Sequence, residues 1–198
     1  MVDTKFKPAL TRATPAGGGK WRSGASSRGG YSRAARALHW TIALLIAGMY
    51  ITDRARGAFP AGSSERTWWL TAHESLGLLV LLLSVVRLTW RLSHAVPPIP
   101  GTPFVRSVAR AAHALLYIAT LGLPVAGVGR AMAGGGNVAF FGLTIPSWTG
   151  RNQLIAWLTG LLHGGFITNL LLALIAGHAL AALWHQFCLK DGTLQRMM

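Results

Sequence analysis

Histidines are the residues with which this chain could carry out redox or metal chemistry. The 198 residues contain seven histidines and a single cysteine, Cys188. One cysteine excludes an internal disulfide and a cysteine-rich metal site, so redox chemistry needs another carrier. The sequence shows no nucleotide-binding loop, catalytic triad or zinc signature. Six of the seven histidines lie in or beside long apolar stretches, where an ionisable side chain is costly and usually functional.

Four apolar stretches must position these histidines. They cover residues 37 to 53, 68 to 90, 107 to 130 and 154 to 187. Each is near the ~20 residues that a helix needs to cross a bilayer. Charged residues make up only 12% of the chain, which is about half of the fraction usual in soluble domains. We therefore predict an all-α fold, an integral membrane four-helix bundle over residues 37–198.

Residues 1–36 differ in composition from the rest of the chain. They are rich in glycine, serine, alanine, lysine and arginine, contain one acid, Asp3, and show no apolar period. This composition predicts a disordered basic tail near anionic lipid. An organellar transit peptide is an alternative interpretation of the same arginine-rich, acid-poor segment.

The distribution of basic residues predicts the orientation of the bundle. The formal net charge is +14, but the lysines and arginines lie in the tail and beside the apolar stretches, which favours an anionic membrane face over nucleic acid. With the amino terminus inside, the tail has eight of them, the middle connection four and the carboxyl terminus two, whereas the outer side has five. This bias predicts that both termini are cytoplasmic.

Four of the histidines fall at two depths in the predicted bundle. His39 begins the first helix on the inner side, and His73 is near the outer start of the second helix. His163 lies in the outer half of the fourth helix, and His178 lies 15 residues further, which is ~22 Å along a helix and reaches the inner half. The depths therefore pair His39 with His178 and His73 with His163.

A b-type haem at each pair is the chemistry that this arrangement favours, which makes two haems per chain. Each low-spin haem needs two neutral imidazoles from facing helices, on opposite sides of one porphyrin, with small residues nearby. A separation of 15 residues is a net rotation of about 60°, so His163 and His178 stay on roughly one helix face. The small residues close to these ligands are Gly77, Gly164, Gly165 and Gly177.

The three other histidines have different expected roles. His94 is in a connecting segment, which predicts a surface residue. His113 and His185 lie near the inner face. Each could replace His39 or His178 as a ligand, line a quinone pocket or bond to a carbonyl group.

Several short segments follow one another in a characteristic order. They are Arg36-Ala37-Leu38-His39-Trp40, His73-Glu74-Ser75-Leu76-Gly77, Val85-Val86-Arg87-Leu88, Pro97-Pro98-Ile99-Pro100, His113 with Leu123-Pro124-Val125-Ala126-Gly127, Phe141-Gly142-Leu143-Thr144-Ile145-Pro146 in an outer loop, and His178 to Leu183 with Lys190-Asp191-Gly192-Thr193-Leu194. This ordered set, over about residues 31–198, resembles the bacterial cytochrome b561 family.

The resemblance implies a four-helix bundle with two b haems. The first and fourth helices would hold the inner haem, and the second and fourth helices the outer one. One feature departs from the family: His178 follows His163 by 15 positions, whereas the family's two fourth-helix histidines are usually one position closer. We expect a bulge near Gly164 and Gly165 to absorb the extra residue.

The resemblance also implies transmembrane electron transfer with a membrane quinone such as ubiquinone. Some members resemble enzymes that oxidise superoxide outside and pass the electron to ubiquinone. Outer arginines outnumber the outer acids, and they could steer a small anionic donor such as superoxide, or equally bind haem propionates or lipid phosphates. These arginines are Arg54, Arg56, Arg66, Arg130 and Arg151.

Two alternatives remain at this point. The chain could be the haem-bearing anchor subunit of a larger dehydrogenase or hydrogenase-type complex, with its partner docked outside. It could also be a haem-free structural or transport protein, which would show no b-type absorption.

Overall fold

Three of the membrane helices begin at a hydroxyl side chain that caps them. The computed structural model describes residues 30–198. Helix α1 is Arg33–Gly57, α2 is Ser64–Ser93 and α3 is Pro103–Ala133. Each cap accepts a hydrogen bond from an amide of the first turn, which has no partner inside the helix. The caps are Ser32, Ser63 and Thr102.

The first helix begins earlier than the sequence predicted. It starts at Arg33 instead of residue 37, since the Ser32 cap precedes a run of arginine and alanine, which are good helix formers. The prediction that the disordered tail includes residues 33–36 is therefore wrong, because these residues are helical. The predicted tail up to residue 29 lies outside the described residues.

The fourth apolar stretch is broken and is not one continuous helix. Helix α4 is Gln153–Leu162 and α5 is Gly165–Trp184, with His163 and Gly164 between them. The bulge expected near the glycines is thus a full break, and the rotation calculated for a continuous helix does not apply. Gly164 permits this break, because a Cβ atom there would come within 2.9 Å of the Gly160 carbonyl oxygen.

Within residues 30–198, four segments are long and apolar enough to cross a membrane. They are α1, α2, α3 and the segment from α4 to the end of a π-helical turn, His185–Leu189. Many large apolar side chains on them point outward, and Leu44, Ile118 and Leu180 are 72%, 67% and 65% exposed. Such faces suit contact with lipid. The predicted all-α membrane bundle is confirmed.

Helices α2 and α3 are central to the packing. Helix α1 packs along α2, α2 packs along α3, and α3 contacts both α4 and α5. Small residues of α2, including Ser75, Gly77 and Ser84, are buried and let neighbouring helices approach closely. Helix α5 packs mainly on α3 and has no buried residue of its own. Contacts between α5 and α1 are therefore made mainly by side chains.

A short hairpin packs on α2. Strand β1, Val138–Phe140, pairs antiparallel with β2, Leu143–Ile145. Phe141 and Gly142 form its turn with φ values of 46° and 88°, as required in the hairpin turn that matches the twist of the strands. The sequence predicts a loop over residues 141–146 and does not indicate the strands, because each strand has only three residues.

The two ends of the described chain meet at one end of the bundle. The Tyr31 amide donates to the Arg196 carbonyl at 3.1 Å, and the Trp40 indole donates to the Met197 carbonyl at 2.9 Å. An even number of spans returns a chain to the side on which it entered. These contacts are therefore consistent with four spans.

Candidate functional site with two histidine pairs

The structure brings together the two histidine pairs that the depth argument predicted. His39 of α1 and His178 of α5 have ring centroids 6.2 Å apart. His73 of α2 and His163, in the break between α4 and α5, have ring centroids 6.1 Å apart. His39 lies near the start of α1. The Nδ1 atom of His73 lies 3.2 Å from the hydroxyl oxygen of Thr52, which is near the end of α1. We call them the inner pair and the outer pair, after the sides predicted for them.

The spacing within each pair suits two imidazoles bound to one metal. An imidazole nitrogen lies about 2 Å from a metal ion that it ligates. Imidazoles on opposite sides of one iron therefore have ring centroids about 6.3 Å apart. The ring planes are inclined by 77° in the inner pair and by 80° in the outer pair. Rotation of each ring about the metal–nitrogen axis permits such angles.

The donor set fits porphyrin-bound iron better than a bare ion. Within residues 30–198, no group of three or more histidine, cysteine, aspartate or glutamate residues is placed to hold a metal ion. A bare zinc ion usually needs at least three protein ligands. Haem iron takes its equatorial nitrogens from the porphyrin and needs only axial ligands from the protein. Pairs of imidazoles therefore match haem.

Hydrogen bonds orient both rings of the outer pair. His163 Nδ1 lies 2.7 Å from the Leu123 carbonyl oxygen, and His73 Nδ1 lies 3.2 Å from that of Met49. Because a carbonyl group only accepts, each Nδ1 carries the hydrogen and donates it. This leaves Nε2 unprotonated, the state in which imidazole ligates a metal. The Thr52 hydroxyl also donates to the Met49 carbonyl at 2.8 Å.

A third imidazole stands beside the inner pair. His113 of α3 has its ring centroid 5.5 Å from that of His178, whereas the centroid of His39 is 6.2 Å away. Since two axial ligands of one iron should lie about 6.3 Å apart, His39 fits the position opposite His178 better. The Nδ1 atom of His113 is buried without a hydrogen-bond partner among the described residues. His113 is thus a neighbour of the inner pair and the weaker candidate for a ligand.

The other two histidines lie outside both pairs. His94 is exposed and stacks on Trp90 with ring centroids 3.9 Å apart, which confirms a surface position. His185 Nδ1 lies 2.5 Å from an Asp191 carboxylate oxygen. Burial opposes the ionisation of Asp191, but hydrogen bonds from Thr193 and His185 lower its pKa to about 2. His185 is therefore occupied in holding the carboxyl-terminal segment.

The glycines expected to make room around the ligands have different surroundings. A Cβ atom at Gly165 or Gly177 would meet nothing within 4 Å, so both positions leave open space. At Gly77 it would lie 3.3 Å from the Met49 methyl group, which makes this glycine a helix-packing residue. Gly164 instead permits the break after α4.

Two hydrogen bonds that the sequence did not predict connect the residues after His73 to the hairpin. The Glu74 carboxylate accepts a hydrogen bond from the Ala139 amide at 2.8 Å. The Ser75 hydroxyl accepts one from the Phe141 amide at 3.0 Å. A signal was present, since His73, Glu74 and Ser75 are three consecutive polar residues near the start of an apolar span, where polar groups are costly unless used.

The chain is similar to known cytochromes along its whole described length. A family model described as prokaryotic cytochrome b561 matches residues 30–198. Cytochrome b561 homolog 1 of Escherichia coli K12 is 34% identical over 81% of this chain and 92% of its own length. The probable superoxide oxidase CybB of Yersinia pestis is 31% identical over 81% of this chain and 91% of its own. Cytochrome b562 of Cereibacter sphaeroides is 34% identical over 85% of this chain and 95% of its own.

Proposed function

Because the chain belongs to the prokaryotic cytochrome b561 family, we propose that it moves electrons through two b-type haems. Membrane electron transfer, b-type haem and a multi-pass location in the inner membrane follow from the family and the four spans. We propose His39 and His178 as ligands of one haem, and His73 and His163 as ligands of the other. The observation that carries this proposal is the spacing of the two pairs, 6.2 and 6.1 Å between ring centroids.

The residues of the chain have separate tasks in this function. A haem bound between the imidazoles of each pair would supply one-electron redox chemistry. The carbonyl groups of Met49 and Leu123 hold the outer imidazoles in the ligating tautomer. The apolar spans exclude water and ions around both pairs. Pairs near opposite ends of the bundle then provide an electron route across the bilayer.

We propose superoxide as the outer electron donor and ubiquinone or a similar quinone as the acceptor. Two superoxide ions lose one electron each and become O₂, while the quinone gains both electrons and two protons and becomes quinol. The similarity to the probable superoxide oxidase CybB of Yersinia pestis supports this choice. Arg54, Arg130 and Arg151 on the outer side are exposed, whereas Arg56 is bound to Asp53 at 2.6 Å. The exposed arginines would attract a small anion.

A haem count in purified variants tests the ligand assignment. Wild-type protein expressed with ample haem should bind two b haems per chain, measured by pyridine haemochrome and reduced-minus-oxidised spectra. His39→Ala and His178→Ala should each keep the outer haem alone, and His73→Ala and His163→Ala the inner haem alone. His94→Ala, at an exposed histidine, is the matched control and should keep both. A colourless wild-type protein, or two haems in all four ligand variants, would contradict the proposal.

Substrate addition tests the donor and acceptor. Superoxide from an enzymatic source should reduce the bound haem, and superoxide dismutase should abolish that reduction. A ubiquinone analogue should then reoxidise the haem. Failure of superoxide to reduce the haem, together with its reduction by a co-purifying dehydrogenase subunit, would show that the superoxide proposal is wrong and that the chain is an anchor subunit.

A further inference from the structure

A basic cavity lies where α2 ends and α3 begins, at the end of the bundle that contains both ends of the described chain. Its volume is about 240 Å³. Three arginines line it, Arg91 from α2 and Arg106 and Arg110 from α3, together with Tyr31. The apolar connection of residues 96–99 forms another wall. The cavity is therefore positively charged on one side and apolar on the other.

The acids of the described chain do not neutralise these arginines. The ion pairs within residues 30–198 are Arg56 with Asp53 and His185 with Asp191. The Glu74 carboxylate is bonded to the hairpin, and Glu65 lies in the first turn of α2, at the other end of that helix. Residues 1–29 contain six lysines and arginines against one acid, so their net charge would repel the arginines. Among the described residues, the three cavity arginines therefore have no carboxylate partner and are available to an external anion.

The chemistry of the cavity favours a phosphate group attached to an apolar body. Guanidinium groups bind phosphate oxygens in pairs of parallel hydrogen bonds. Arg106 and Arg110 are four residues apart on α3, which places them on one helix face. They also lie near the amino-terminal end of this helix, where its dipole favours negative charge. Leu92 and Phe104, on either side of the connection, are 79% and 77% exposed and offer an apolar surface beside the arginines.

We propose that this cavity binds the phosphate of an anionic phospholipid. The arginines hold the phosphodiester, and the wall formed by residues 96–99 contacts the glycerol and the upper acyl chains. No histidine of either pair lines the cavity, and the proposal does not depend on the proposed electron donor or acceptor. A lipid bound there would tie the connection between α2 and α3 to the membrane surface.

Charge-matched variants test the proposal. Arg106→Gln/Arg110→Gln removes two cavity arginines, whereas Arg33→Gln/Lys190→Gln removes two exposed basic residues at the same end of the bundle. Purified full-length protein in detergent is titrated with phosphatidylglycerol, with phosphatidylcholine and with inorganic phosphate, and binding is followed by thermal shift and native mass spectrometry. Phosphatidylglycerol should bind the cavity variant about thirtyfold more weakly than the control variant, and phosphatidylcholine should leave the Tm of all forms unchanged.

Three outcomes would overturn the proposal. The first is equal affinity of both double variants for phosphatidylglycerol. The second is an equal stabilisation of the wild type by inorganic phosphate, which would make the site one for free anions. The third is loss of haem absorption in the cavity variant but not in the control variant, because the arginines would then serve a haem propionate.

Discussion

Gly127 of α3 lies directly against the imidazole ring of His163. A Cβ atom on Gly127 would stand 2.9 Å from Cε1, 3.1 Å from Nδ1 and 3.3 Å from Nε2 of that ring. His163 lies in the break between α4 and α5, where its amide donates to the Thr159 carbonyl at 2.8 Å. Gly127 and the Leu123 carbonyl, one turn apart on α3, therefore orient an imidazole of the outer pair.

Substitution of Gly127 should change the outer haem and leave the inner one unaltered. In Gly127→Ala, the new methyl group displaces the His163 ring, because carbon atoms do not approach to 2.9 Å without a shift. The midpoint potential of the outer haem should move by about tens of millivolts, measured by redox titration, and its electron paramagnetic resonance signal should change.

Two other glycines of α3 are controls for this substitution. A Cβ atom at Gly122 would meet nothing within 4 Å, so Gly122→Ala should leave both haems unchanged. A Cβ atom at Gly129 would lie 2.9 Å from the Thr159 methyl group, so Gly129→Ala alters the contact between α3 and α4 and reaches His163 only through the bond from its amide to the Thr159 carbonyl. If Gly127→Ala leaves the outer haem signal unchanged, or if Gly129→Ala shifts it equally, the assigned contact does not control the ring.

Glu74 should stabilise the hairpin. Glu74→Ala leaves the Ala139 amide, which lies in a half-buried position, without its acceptor, and such a loss costs about 1–3 kcal/mol. Hydrogen exchange of residues 138–145 should accelerate, and the Tm should fall. Glu65→Ala is the control, because Glu65 is exposed and its side chain contacts the adjacent Ser64. Equal protection of the hairpin in both variants would show that Glu74 does not hold it.

His113 should be dispensable for binding the inner haem. Its ring centroid lies 5.5 Å from that of His178, closer than the about 6.3 Å expected for two axial ligands of one iron. His113→Ala should therefore retain two low-spin haems, measured by absorption and magnetic circular dichroism. A high-spin inner haem in His113→Ala, together with a normal spectrum in His39→Ala, would show that His113 and not His39 is the ligand opposite His178.

Cys188 can report the orientation of the bundle. It is the single cysteine of the chain and lies at the carboxyl-terminal end of the fourth span, one residue before its last residue, Leu189. With cytoplasmic termini, a membrane-impermeant maleimide should label it in inside-out vesicles but not in intact spheroplasts. Cys188→Ser/Thr144→Cys, with the thiol at the exposed hairpin position of Thr144, should give the reverse pattern. Labelling of Cys188 in intact spheroplasts would contradict the prediction that the termini are cytoplasmic.

The bond between Asp191 and His185 should make part of the stability depend on pH. The pKa of Asp191 is lowered from 3.8 to about 2 against the effect of burial, chiefly by hydrogen bonds from Thr193 and His185. A carboxyl with a depressed folded-state pKa stabilises the fold above its unfolded pKa and loses that effect as the pH falls. Wild-type protein should thus have a higher Tm than Asp191→Asn at pH 7, and the difference should shrink between pH 3.8 and about 2. A difference independent of pH would exclude the carboxylate as its cause.

The membrane fold and the depth of each histidine followed from local sequence. A run of apolar residues must form a spanning helix, because bilayer hydrocarbon offers no partner for backbone amides. The rise per residue then sets how deep His39, His73 and His178 lie. The resemblance to the family implies the same four spans and the same two histidine pairs.

Contacts between helices required the tertiary structure. The sequence left His113 and His39 as alternative partners of His178, since depth says nothing about which ring faces which. The sequence predicted a bulge at the place where the chain breaks, next to His163. It did not indicate that Leu123 and Gly127 of α3 would contact the His163 ring. Hydropathy and helical rise act along one segment and so determined the spans and depths. Rotation and lateral approach of the helices depend on packing among residues far apart in the chain, which only the folded bundle decides.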